Sequence, residues 1–400
     1  MKIAILTSGI LPLPATQGGA VETLTDFVLA YNERHQLHDI TVYSIADAAT
    51  SHHPALQSRA NHYHYIDTTS LVARLRKTIY RLTHRQEYYH YAMQYFLHQA
   101  LKHLRRQHFD LVVIENRPGF ALQLAQATQA RLVYHLHNDF LNRHVAHAQE
   151  LYRLADKILT VSDYIARRVR TITPNDAKCV TVHNGIDLDA FSPSHASGPS
   201  RRQLGLADDD FVVVFSGRIT PEKGILPLIR AMKQASNAEP RLRLLVMGSS
   251  FYANAHDAAN PFIALLKEEA SELQERIVFT GYVPHAQMPG HLRLANCAVV
   301  PSVWEEPFGL TCLEAMAMGL PVITTRRGGI GEIASPANAI IIDAPDEPAL
   351  TTSLSQAMLH LSAHPDKCRI MGQAALQRAR QFSQEHFAQA FFAALPQPRS

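Results

Sequence analysis

Apolar, β-branched runs of five to eight residues recur along nearly the whole chain, and most are separated by amphipathic segments of helical length. In the first half the runs are KIAILTS (2–8), ITVYSI (40–45), LVVIEN (111–116), RLVYHLH (131–137), KILTVS (157–162) and CVTVHN (179–184). Strands that are apolar throughout, with no strict alternation, suit a parallel sheet covered on both faces. The rhythm stops at SPSHASGPS (192–200), a Pro/Ser/Gly stretch that reads as a linker. It resumes with FVVVFSG (211–217), LRLLVMG (242–248), RIVFTGYV (276–283), CAVVPS (297–302), PVITT (321–325) and AIIID (339–343). Four hundred residues suffice for two hydrophobic cores. The predicted fold class is therefore α/β: two Rossmann-like, doubly wound domains facing each other across a cleft, where such sheets bind ligands.

Composition narrows the class. At 46% hydrophobic and 18% charged residues, with no apolar run of membrane-spanning length, a soluble globular chain is expected. The opening MKIAILTSGILPLP has too brief an apolar run for a signal peptide and reads as a buried first strand. Cys179, Cys297, Cys312 and Cys368 are widely spaced, which predicts reduced, buried thiols and a cytosolic setting. A net charge of +3 is too small for a dedicated nucleic-acid binder, and no nucleic-acid partner is expected. The charge is nonetheless uneven. Residues 74–106 carry eight Lys/Arg against the single acid Glu87, interleaved with Tyr80, Tyr88, Tyr89, Tyr91, Tyr95 and Phe96.

Four segments point to chemistry. In EEPFGLTCLEAMAMG (305–319), Gly309 permits close backbone approach and a helix begins near Leu310 or Thr311. Its unpaired first-turn amides, around Phe308 to Thr311, form an anion site suited to a diphosphate. Glu314, one turn in, can accept from the vicinal hydroxyls of a ribose, and Glu306 can reach a sugar beyond the diphosphate. The competing reading is a capping box, Thr311 to Glu314, that only closes the helix end. In SGRITPEKG (216–224), Thr220 and Pro221 read as N-cap and first helical residue, placing Lys223 in a first turn whose dipole disfavours a cation. With Arg218 at the strand end, this suggests a ligand of several negative charges. Gly18 and Gly19 open a helix after the first strand, but neither a G-x-G-x-x-G nor a Walker A pattern is present. In HLHND (135–139), alternation puts His135 and His137 on one side, with His137 nearer the cleft edge. Metal binding is not expected: there is no H-E-x-x-H, and HYH (62–64) reads as part of a polar loop.

GGAVE, HLHND, SDYIARRV, HNGIDLDAFSP, GRITPEKG, FTGYVPH and PSVWEEPFGLTCLEAMAMGLPVITTRRGGIGEI resemble, in that order, the retaining glycosyltransferases of family 4, which have the GT-B fold. The E-x7-E pattern falls on Glu306 and Glu314, and the likeness is loosest between 46 and 110, the acceptor side. The resemblance implies that Arg218, Lys223 and the amides of Phe308, Gly309, Leu310 and Thr311 hold a donor diphosphate, with Gly19 near it. It implies Glu314 on the ribose, Val283 backbone on the base, and Glu306 and His137 at the transferred sugar as catalytic residues. Thr16-Gln17 stands where glycogen and starch synthases have a lysine, which disfavours ADP-glucose. The family needs no metal or other cofactor; Asp187-Leu188-Asp189 has D-x-D spacing, but it follows HNGI at the domain junction and precedes the linker, so it reads as structural.

The domains implied are 1–191 on the acceptor side, the linker 192–200, a nucleotide-sugar domain at 201–375, and a helix in 376–400 packing back on the first domain. The expected donor is a UDP-sugar. The expected acceptor is a glycan or lipid-linked molecule of bacterial lipopolysaccharide, capsule or exopolysaccharide synthesis. The setting is cytoplasmic, with an anionic membrane surface as a further partner of 74–106. Same-face attack is favoured over a covalent Glu306 intermediate. The alternatives are a GT-B sugar-nucleotide epimerase and a non-catalytic sugar-nucleotide-binding partner.

Overall fold

The computed structural model describes residues 1–83, 91–174, 177–249, 260–273 and 275–397. The chain divides into two compact units, Met1–Asn184 with Glu385–Ser400, and Gly185–Gln384.

The first unit is built on a seven-stranded parallel sheet of β1 (Lys2–Leu6), β2 (Asp39–Ile45), β3 (Asn61–Ile66), β4 (Leu111–Glu115), β5 (Arg131–Leu136), β6 (Lys157–Thr160) and β7 (Cys179–Thr181), in the order β3-β2-β1-β4-β5-β6-β7. The central strands β1 and β4 are buried almost throughout, as their unbroken apolar sequence requires of a sheet covered on both faces. Helices α1 (Ala20–His35), α2 (Leu71–Thr83) and α3 (Tyr91–Leu104) belong to this unit. β3 corrects the sequence reading, because HYH (62–64) lies in this strand and not in a loop. NHYHYI has no apolar run because β3 is an edge strand, with β2 as its single neighbour. Tyr63 stacks on Tyr65 with centroids 5.9 Å apart, and His64 stacks on His103 at 4.1 Å.

The second unit holds a six-stranded parallel sheet of β8 (Phe211–Ser216), β9 (Leu242–Met247), β10 (Ile277–Gly281), β11 (Cys297–Val300), β12 (Val322–Thr325) and β13 (Ala339–Ile342), in the order β10-β9-β8-β11-β12-β13. Val213, Leu228, Leu244, Val299, Ile323 and Leu354 are among its fully buried core. This unit already begins at Gly185, so the stretch 192–200 lies inside it. There Gly198 is pressed against Gly290; a Cβ on Gly198 would sit 2.7 Å from the Gly290 Cα. At the C-terminus the helix Pro365–Ala379 belongs to the second unit, and the helix Gln384–Ala394 falls almost wholly in the first. Phe387 and Phe391 of that last helix meet the His135 ring at 6.0 and 5.3 Å.

Each sheet reverses its winding once, between β1 and β4 in the first unit and between β8 and β11 in the second. The crevice beyond the carboxyl ends of such a strand pair is where doubly wound sheets take ligands. All four cysteines are buried and free.

Candidate functional site

In the second unit the loops leaving β8 and β11 are fastened together. Gly224 (φ 73°) lies so close to the next loop that a Cβ would fall 1.9 Å from the Pro301 carbonyl oxygen, and Val303 N–H donates to the Glu222 carbonyl at 3.0 Å. This brings Lys223 to Glu306: Nζ donates to Oε1 at 2.6 Å, Ser302 Oγ donates to the same oxygen, and Nζ lies 5.2 Å from the Trp304 ring centroid. Glu306 is buried, and its main chain is held from the far side. Gly329 N–H donates to the Glu306 carbonyl at 2.7 Å, Gly328 N–H donates to Glu305 Oε2 at 2.6 Å, and a Cβ on Gly328 would fall 2.0 Å from the Glu306 carbonyl oxygen. A carboxylate fixed on every side loses little orientation freedom when it acts, which is the requirement of a preorganised site.

Lys223 differs in one respect from the sequence reading. Pro221–Lys223 form a 3₁₀ turn, Gly224 takes the left-handed conformation, and the α-helix runs only from Ile225 to Ala235. Lys223 therefore precedes that helix, and its dipole is not what selects a ligand there. Its half-buried pairing with Glu306 is the stronger feature. Arg218 is exposed and pairs with Glu222 at 3.6 Å, so the structure does not bring it to Glu306.

The helix after Glu306 spans Leu310–Ala317, with Gly309 as N-cap at φ 103°. No side chain caps it, so the Thr311–Glu314 capping box is not formed and the first amides are left for another acceptor. Glu314 instead turns to His285, whose Nε2 lies 2.9 Å from Oε1. Burial disfavours the charged imidazole, but the hydrogen bond and charge of Glu314 outweigh it and raise the His285 pKa. Val283 is half-buried two residues before His285, so the base and ribose candidates share one neighbourhood. Leu310 and Thr311 are half-buried, and Phe308 is buried edge-to-face on Phe382 at 5.8 Å, leaving its amide as its contribution. Asp187 Oδ1 accepts from the amides of Asp189 and Ala190, both at 3.0 Å, which makes the D-x-D a turn.

In the first unit Glu115, at the end of β4, stands opposite His135 in the register of β5. His135 Nδ1 lies 3.0 Å and His137 Nε2 2.9 Å from Glu115 Oε2, all three being buried. The His137 amide donates to Asn116 Oδ1 at 3.1 Å, so one β4 end holds both the backbone and the ring of His137. Burial pushes His137 down to about 4. Burial alone would raise Glu115, but contact with His135 and then His137 outweighs it and brings the carboxyl to about 2. Their three ligand atoms lie within 4.8 Å of one another, a spacing a cation could use. The two short nitrogen–oxygen contacts are equally satisfied by protons.

Gly19 (φ 101°) is the N-cap of α1 and has no side-chain partner; a Cβ there would fall 2.3 Å from Glu22 Oε2. Glu22 is buried beneath this turn. Burial pushes its carboxyl up to about 7 against a backbone hydrogen bond, and Glu115 and Asp26 add to the rise.

The sequence profile described as Glycosyltransferase Family 4 matches residues 17–190, and that of Glycosyl transferases group 1 matches 198–378. Together they span most of the chain and meet near the unit boundary. The chain belongs to glycosyltransferase family 4. YtcC of Bacillus subtilis (strain 168) is 28% identical over 364 residues, 87% of this chain and 81% of its own. The lipopolysaccharide 1,2-N-acetylglucosaminetransferase of Salmonella typhimurium (strain LT2) is 29% identical over 227 residues, 56% of this chain and 57% of its own. The crystal structure of Anabaena Alr3699/HepE in complex with UDP superposes with a TM-score of 0.73 at 21% identity, covering 98% of this chain and 99% of that one, and shows the shared GT-B fold.

Three features of this glycosyltransferase escaped the sequence reading. Glu115 is 22 residues from His137, and only strand order makes them neighbours. Glu22 looks like an ordinary first-turn acid of α1. The Gly328-Gly329 pair had a visible signal in RRGGIGE, since adjacent glycines before a helical turn mark close backbone approach.

Proposed function

We propose that this glycosyltransferase moves a hexosyl or N-acetylhexosaminyl group from a nucleotide sugar to a glycan or lipid-linked acceptor, with retention of configuration. The observation that carries the reading is the pair of buried acids around Gly309. Glu306 is held by Lys223 and Ser302, Glu314 is turned to His285, and uncapped helix amides lie between them. In this reading Lys223, Arg218, the amides of Phe308 to Thr311 and Gly19 take the diphosphate. Glu314 takes the ribose, Val283 the base, and Glu306 and His137 the transferred sugar. The departing phosphate deprotonates the acceptor hydroxyl on the same face. An azide-rescued Glu306→Ala enzyme that yields inverted product would replace this with a covalent path. No metal enters the reaction, so chelation with EDTA is expected to leave the rate unchanged.

UDP is the nucleotide to test first, supported by the Anabaena protein that was solved with it. The Salmonella relative supports an acceptor of the lipopolysaccharide class; capsule or exopolysaccharide acceptors, a cytoplasmic setting and membrane contact through 74–106 belong to the same proposal. The deciding experiment titrates UDP, GDP and ADP and their sugar conjugates against the fluorescence of Trp304, the only tryptophan. A saturable change with one nucleotide that is lost in Lys223→Ala is expected. Flat responses to all three, repeated by calorimetry, would remove the donor reading. Proton NMR of the product then reads the anomer, and with donor alone it would reveal an epimerase.

A further inference from the structure

Four of the eleven large apolar side chains exposed among the described residues fall within nine positions of α2: Leu71 (82%), Val72 (58%), Leu75 (65%) and Ile79 (54%). The others are scattered singly, which is ordinary for a globular surface. At 3.6 residues per turn these four share a stripe about 100° wide. Ala73, buried, and Tyr80, half-buried, lie on the opposite side and seat the helix on its unit. Arg74 and Arg76 are exposed and flank the stripe on its two edges. The sequence of α2 contains Arg74, Arg76, Lys77 and Arg81 and no acid. The nearest preceding acid, Asp67, is bound up in its own turn, accepting from Thr69 N–H and Oγ1 at 2.8 Å. α3 is built the other way: Phe96, Leu97, Ala100 and Leu101 are buried, so its apolar face is spent on the core. Glu87, Tyr88 and Tyr89 of the basic stretch lie outside the described residues.

We infer that α2 lies in the plane of an anionic lipid bilayer, with Leu71, Val72, Leu75 and Ile79 among the acyl chains and Arg74 and Arg76 at the headgroups. Among the described residues no helix is long and apolar enough to cross a membrane, and a helix of 13 residues with one apolar stripe suits the interface instead. Charge selects the occupant. A second copy of α2 would set cations against cations, whereas a surface of anionic lipid supplies both the apolar layer and the opposite charge. The inference rests on the membrane contact of the proposed function but moves its carrier from the basic aromatic stretch to one helix face.

The test is flotation of the full-length protein with vesicles of phosphatidylcholine, with and without phosphatidylserine, at low and high salt. Wild type is expected to float with the anionic vesicles. Leu75→Asp/Ile79→Asp should lower the partition more than about tenfold. Arg74→Gln/Arg76→Gln should lower it about 30-fold at low salt and much less at high salt. Flotation of the Leu75/Ile79 variant equal to wild type would overturn the inference. So would a wild type that ignores vesicles, or a Leu75/Ile79 variant whose only change is a smaller particle in sedimentation velocity without lipid, which assigns the face to a second copy. Thermal melts check that these surface variants fold, and the Trp304 response to UDP is read in each. Failed flotation with that response intact removes only the membrane face. A flat response with flotation intact removes only the donor reading.

Discussion

Glu306 and Glu115 both stand at the point where a doubly wound sheet reverses, yet the first answers to an ammonium and the second to two imidazoles. Around Glu306 the partners are Lys223, Ser302 and a glycine-packed backbone, a set fixed by short hydrogen bonds and close packing. Around Glu115 the partners are His135 and His137, and Glu22 lies close enough to add to the electrostatics. One centre is therefore a fixed charge pair, and the other is a cluster whose protons can be redistributed.

The sharpest way to break the comparison is to remove the fixed cation. Lys223→Ala is expected to lower kcat by about 10²–10³, the usual loss when one preorganised group facing developing charge is deleted. Steady-state assays check it, and a wild-type kcat in the variant would remove the Lys223–Glu306 pair from the catalytic machinery.

The next two predictions have opposite signs within one neighbourhood. The folded Glu115 carboxyl is depressed to about 2, so it contributes stability above its unfolded pKa that is lost as pH falls towards 2. Glu115→Gln should remove roughly 3 kcal/mol at about pH 6 and almost nothing at about pH 2. The folded Glu22 carboxyl is raised to about 7, so it costs stability as pH climbs from the unfolded value to 7. Glu22→Gln should therefore add roughly 3 kcal/mol at about pH 8 and nothing at about pH 4. Urea melts at several pH values read both. Parallel curves for the two variants would show that the cluster does not divide its protons in this way.

The smallest effect is expected at His285, which is half-exposed and held by Glu314. Its pKa is raised, so the pairing with Glu314 is present at low pH and fades as pH rises through the folded pKa. His285→Ala should weaken nucleotide binding by less than about tenfold, the range of a surface pair, with the deficit shrinking as pH rises. Calorimetric titration at two pH values checks it.

Much of this architecture is legible without coordinates, for a physical reason that also explains the gaps. Buried parallel strands must be largely apolar, so every strand except the edge strand β3 overlaps one of the apolar, β-branched runs. The second unit's centre is legible because its parts are consecutive: Ser302 to Glu314 is one turn and one helix. The first unit's centre is not, because Glu22, Glu115 and His137 come from three segments that only the sheet order gathers. The same limit hid the start of the helix after Lys223. Thr220-Pro221 has the chemistry of a helix start, but Gly224 must pass Pro301 in a left-handed conformation that interrupts the helix. The α2 stripe is hidden in the sequence for another reason: the basic and aromatic residues of 74–106 outnumber its four apolar members, which begin at Leu71.

The acid beneath Gly19 carries a thermodynamic consequence for any ligand that meets this turn. A carboxyl with a pKa of about 7 is half-protonated in neutral buffer. An anion arriving above it favours the protonated form, so association takes up a fraction of a proton from the solution. The heat of binding then contains the ionisation heat of the buffer. Titrations in PIPES and in Tris, which differ widely in ionisation heat, should differ in enthalpy while agreeing in affinity, and in Glu22→Gln the two heats should coincide.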